Sequence, residues 1–91
     1  MAKVSIDVQA TPNPNALKFV LDRPTTDGGP RSFRSLEEAT DSPIGSGLLA
    51  VGGVESIFMT ANFISVTKTE DAQWEQLVPE VTRAIEEGFA D

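Results

Sequence analysis

The chain contains no cysteine and no histidine, no tyrosine, and one tryptophan. Without thiols there can be no disulfide, no thiolate nucleophile, and no cysteine ligands for structural zinc or an iron–sulfur cluster. Without imidazole, Ser–His–Asp and Cys–His catalysis are excluded as well. Any reaction would fall to carboxylates, Lys, Arg, Ser or Thr, and any metal to oxygen ligands. Long apolar runs are also missing: each is broken by Gly, Ser or charge well before the roughly 18 residues of a membrane span. The first nine residues hold one Lys and no apolar leader core, so neither a signal peptide nor a membrane partner is expected, and the expected location is cytoplasmic. Bases are scarce. Seven Lys and Arg stand against 14 Asp and Glu, giving −7 and a pI near 4.4, which disfavours nucleic acid and anionic membrane as partners.

What is present reads as one domain over residues 1–91, of 9.7 kDa, with a modest core. Its charge is uneven. Residues 1–34 carry five bases and three acids, whereas residues 35–91 carry two bases and eleven acids. The acidic part is either a solvated face that aids solubility or a face that steers a basic partner.

Strict apolar–polar alternation from Val4 through Gln9 is the period of a half-buried strand. The string Thr11, Pro12, Asn13, Pro14, Asn15 stops it, because prolines cannot donate to a ladder and asparagines suit turns. Alternation resumes at Leu17, Phe19 and Leu21, with Lys18 on the other face, so the two strands predict a hairpin. Residues 24–30 form a loop rich in Pro and Gly, and Phe33 marks a short edge strand. Ser35 and Glu38 have capping-box spacing, which predicts a helical turn from Ser35. Ser42 and Pro43 open a second helix over 43–51, weakened by Gly45 and Gly47 and ended by Gly52 and Gly53.

Residues 54–59 and 63–68 predict a second hairpin, with Asn62 in a left-handed turn position. Asp71 is placed to cap a closing helix whose stripe is Trp74, Leu77, Val78, Val81, Ile85 and Phe89. Pro79 interrupts that pattern, so a kink there and a lost hydrogen bond to the Glu75 carbonyl are expected. The order is β-β-α-β-β-α, and the expected class is α+β: two layers, an antiparallel sheet of two hairpins with the helices on one face.

Thr11 through Asn15 is the most unusual string. It is either a connector whose asparagines bond to its own backbone, or a preformed polar docking loop for another protein, with Lys18 adding charge from the second strand. The acidic clusters Glu37, Glu38, Asp41 and Glu70, Asp71, Glu75 have carboxylates for a hard cation. Acids at helix N-termini also favour the macrodipole, and that needs no ligand. No glycine pair is followed by Lys-Ser or Lys-Thr, and no carboxylate spacing singles out an acid–base pair, so no enzyme activity is expected.

The stretch from Thr11 to Phe19 resembles the signature of the N-terminal domain of Nfu/NifU-like iron–sulfur cluster scaffold proteins. The resemblance continues through Ser42-Pro43, Gly53 to Phe58, Phe63 to Lys68, and Trp74 with Leu77 to Pro79, covering roughly residues 4–89. It implies an α+β domain that usually precedes a second domain, where a C-x-x-C pair binds the cluster. This chain has no such pair. What the resemblance implies here is a non-catalytic interaction or accessory module in cluster assembly or delivery, without a cofactor of its own. Its partners would be a cysteine-bearing scaffold or apo-proteins, and the turn residues Thr11, Pro12, Asn13, Pro14 and Asn15 with Lys18 would be their contact. A stand-alone accessory holding iron through carboxylates is the alternative.

Overall fold

The computed structural model describes residues 4–25 and 29–89. The chain runs β1 (Ile6–Ala10), β2 (Ala16–Leu21), β3 (Arg31–Phe33), α1 (Pro43–Leu49), β4 (Val54–Thr60), β5 (Phe63–Lys68) and α2 (Trp74–Gly88). The strands form one sheet in the order β1-β2-β5-β4-β3, and every neighbouring pair is antiparallel. The α+β, two-layer class is as the sequence predicts. The short strand expected at Phe33 joins as the edge beside β4, so the sheet is the two hairpins plus one strand.

Alternation decides the faces. Phe19, Leu21, Ile57, Met59, Ile64 and Val66 point to one side of the sheet, where they are fully or almost fully buried. Val81 and Ile85 from α2, Leu48 from α1 and Ala39 close the core from the helix layer. The predicted α2 stripe holds: Leu77, Val81 and Ile85 are buried, while Glu75 and Glu87 are exposed. The opposite face of the sheet, with Val20, Phe58, Phe63 and Ser65, is covered by no described element.

Four local expectations change. From Ser35 the chain makes hydrogen-bonded turns rather than a helix. Glu38 and Ala39 donate to the carbonyls three residues back, and the capping contacts form around them: Glu38 N–H to Ser35 Oγ at 3.4 Å and Arg34 N–H to Glu38 Oε1 at 2.6 Å. Two capping groups cannot carry a helix whose next residues, Asp41 to Pro43, break it. Helix α1 starts as predicted, with Ser42 Oγ accepting from Gly45 N–H, but stops at Leu49. Gly53, at φ 101°, makes the turn into β4. A Cβ there would sit 3.1 Å from both Ala72 and Leu77, so glycine serves both backbone and packing.

In the second hairpin the left-handed residue is Ala61, at φ 47°, not Asn62. Asn62 instead donates from Nδ2 to the Leu21 carbonyl, a tertiary use the local sequence does not reveal. Asp71 does not cap α2. It accepts from Thr69 Oγ1 at 2.8 Å, and Gln73 holds the cap position with no side-chain bond. The loop expected over 24–30 is described only in part, since residues 26–28 lie outside the described residues, as do residues 1–3 and 90–91. No helix among the described residues is long and apolar enough to cross a membrane.

Candidate functional site

The turn between β1 and β2 closes on itself. Thr11 Oγ1 lies 2.9 Å from the carbonyls of both Asn13 and Ala16, sharing one proton between them, and accepts from Asn13 N–H at 3.2 Å. Ala16 N–H donates to the Asn13 carbonyl at 3.0 Å. Asn13 Oδ1 accepts from Asn15 N–H at 2.9 Å, the local side-chain-to-backbone bond that asparagine makes readily.

Two residues distant in sequence then brace the turn. Lys68, at the end of β5 and 8% exposed, donates from Nζ to Asn15 Oδ1 at 3.0 Å and to the Thr69 carbonyl at 3.2 Å. Its backbone N–H also reaches the Asn15 carbonyl. Trp74, at the start of α2 and half-buried, donates its indole Nε1–H to the Pro14 carbonyl at 3.0 Å. Strand, helix and turn therefore meet at one corner, and two prolines limit the turn further.

These contacts fix how the amides face. The Asn13 and Asn15 oxygens each accept from an obligate donor, so both NH₂ groups point elsewhere, and neither has a partner among the described residues. The corner thus presents two amide donors beside two proline rings, all on exposed or half-buried residues. It suits a partner with carbonyl or carboxylate acceptors.

Thr11, Asn13 and Asn15 are brought together with Pro12 and Pro14 in sequence between them. Lys18 is not part of that cluster. It lies on the uncovered sheet face, with Nζ 4.4 Å from the Phe63 ring centroid, directed toward the row of Val20 and Phe63 rather than the turn. Lys68 and Trp74 are the residues that sequence reasoning did not assign to the turn. A signal for Lys68 exists: it ends the run Ile64, Val66, Lys68 on the core-facing parity, where a charge needs a partner.

The acidic clusters resolve into other contacts. Asp41 accepts from Arg31, Glu38 from Arg34 N–H and Asp71 from Thr69, and no group of three or more acids among the described residues could hold a metal ion. A hollow of about 690 Å³ lies between the start of α1 and the end of α2, but the two charged residues that line it among the described ones, Arg31 and Asp41, pair with each other. At the far end of β2, the Arg23 guanidinium beside Asp22 holds its carboxyl below the usual carboxylate range, outweighing desolvation.

An antiparallel five-stranded sheet with two helices on one face, closed at one corner by this braced turn, defines the class of α+β domain. The chain belongs to the family described as scaffold protein Nfu/NifU N terminal, whose model matches residues 6–91. It is 37% identical over 86 residues to the mitochondrial NFU1 iron–sulfur cluster scaffold homolog of Homo sapiens, covering 93% of this chain and 34% of that one. To the mitochondrial NifU-like protein 4 of Arabidopsis thaliana it is 34% identical over 80 residues, covering 88% and 28%. The chain thus spans about a third or less of these relatives. Among solved structures, the crystal structure of protein SAV1430 from Staphylococcus aureus matches with a TM-score of 0.80 and 32% identity, covering 93% of this chain and all of that one.

Proposed function

We propose that this chain is a non-catalytic interaction module in iron–sulfur cluster assembly or delivery, acting beside a protein that carries the cysteines. The relatives named as iron–sulfur cluster scaffolds support the setting. The absence of every thiol and imidazole among these 91 residues puts cluster ligation outside them. The braced corner supports the contact. Its backbone is ordered before binding, which lowers the entropy lost on association. Asn13 and Asn15 offer uncommitted NH₂ donors there. In this reading residues 11–15 meet acceptor groups on a cysteine-bearing scaffold or an apo-protein, and Lys18 contributes from the adjoining sheet face.

The test pairs two measurements on Asn13→Ala: affinity for the cysteine-bearing scaffold domain of the same cell, and urea unfolding of the protein. A docking role predicts an affinity loss of about fivefold or more with a small shift in unfolding midpoint. A lowered midpoint with unchanged affinity would return the turn to a purely local role. The carboxylate-iron alternative has no cluster of acids among the described residues to support it.

A further inference from the structure

The two edges of the sheet are unlike. Strand β3 has three residues, follows Pro30, and its Arg31 is tied to Asp41, so it offers little to an incoming chain. Strand β1 has five residues, with neither Lys nor Pro among them, and four of the five are exposed. Its free groups can be read from the ladder. Asp22 N–H donates to the Ser5 carbonyl, and the register continues as Asp7 with Val20 and Gln9 with Lys18. In an antiparallel pair, hydrogen-bonded and non-bonded positions alternate. Ser5, Asp7 and Gln9 therefore bond to β2, while the backbone N–H and C=O of Ile6, Val8 and Ala10 point outward. No described residue takes them.

The side chains add a chemical preference. Ile6 and Val8 lie on the helix-side face opposite Leu21 and Phe19. Val8 remains 39% exposed although Phe19 beside it is fully buried. Asp7 lies on the other face and has no ion pair among the described residues. We infer that β1 is a strand-addition site: an extended segment of another protein pairs with Ile6, Val8 and Ala10, its apolar side chains extend the core over Val8, and its alternate side chain is a cation facing Asp7. A second copy of this chain is the poorer occupant, because each copy carries −7. The site adjoins the 11–15 turn, so a partner docked there would find this edge in reach. The inference itself does not depend on that docking.

The test uses a blocked eight-residue peptide of alternating Val and Lys, with amide exchange followed residue by residue by NMR. The expected result is exchange slowed about tenfold or more at Ile6, Val8 and Ala10 at millimolar peptide, while Asp7 and Gln9, already bonded to β2, stay unchanged. A Val–Glu peptide should do much less, and Asp7→Lys should reverse that order. Unchanged exchange at the three amides, or protection at β3 instead, overturns the inference. So does protection that rises with protein concentration alone, which assigns the edge to a second copy. Asn13→Ala should leave the peptide result intact, so failure here and failure of the docking turn are read separately.

Discussion

The turn at 11–15 and the segment at 35–41 are both polar, both outside regular structure and both rich in backbone–side-chain hydrogen bonds. They are held by opposite means. In the first, the braces come from Lys68 and Trp74, 53 and 60 residues further along the chain. In the second, the pairs are Arg31 with Asp41 and Arg34 with Glu38, only ten and four residues apart, and the one buried residue of the segment is Ala39. A turn fixed from distant elements is positioned by the whole fold. One fixed by local pairs follows its own sequence and depends on a single packing contact. The first arrangement suits a surface that must be presented in one geometry.

The largest effect is expected at Gly45. A Cβ there would lie 3.2 Å from Ala39 Cβ and from two atoms of the Phe33 ring, so Ala39 seats against bare backbone. Gly45→Val adds two further methyl groups to a site whose neighbours are fully or almost fully buried. Overpacking of this kind costs about 1–3 kcal/mol, and we expect about 2 kcal/mol in urea unfolding. Exchange should quicken at Ala39 and Ser42 and stay unchanged at Asn15 and Ala16. Equal loosening of both regions would show that they are not independently held.

The brace on the other side should respond to Lys68→Met. Methionine keeps most of the buried stem but removes the donors to Asn15 Oδ1 and the Thr69 carbonyl. Leaving those acceptors unmatched should cost about 1–2 kcal/mol and quicken exchange at Asn15 and Ala16. Trp74→Phe removes the indole donor to Pro14 together with part of a half-buried ring and should cost about 1 kcal/mol, with partner affinity falling if the corner is the docking site. A stability loss without any change at the turn would detach Trp74 from it.

How far the sequence revealed this depends on the range of the contacts. The hairpins, the start of α1 and the apolar stripe of α2 follow from periodicity and caps within a few residues, and all are present. The Thr11-to-Asn15 string stands out in the sequence, and its internal Asn bond is the local kind that composition suggests. Its braces were not legible, because they join positions more than 50 residues apart. Asn62 fails as the local turn residue because a distant group takes it, the Leu21 carbonyl 41 residues away, whereas Asp71 fails as a cap through a local competitor, the Thr69 hydroxyl two residues back. Alternation puts Lys18 on the outward face of its strand, where it lies, but cannot say that its ammonium sits over Phe63.

The smallest effect is expected at the local pair of the 35–41 segment. Arg31 Nη2 lies 2.9 and 3.0 Å from the two oxygens of Asp41, and the side chains are 40% and 70% exposed. Water and salt screen such a pair, and one nitrogen reaching both oxygens lacks the two-point fork of the strongest Arg–carboxylate contacts. A double-mutant cycle with Arg31→Ala and Asp41→Ala should therefore give a coupling of about 0.5 kcal/mol that shrinks in 1 M salt. Arg31→Ala alone should cost more than Asp41→Ala, because the guanidinium also lies 4.8 Å from the centroid of the Phe33 ring, against which Gly45 packs. A coupling above about 2 kcal/mol that resists salt would make this local pair as strong as the Lys68 brace, and the contrast between distant and local restraint would fail at its weaker end.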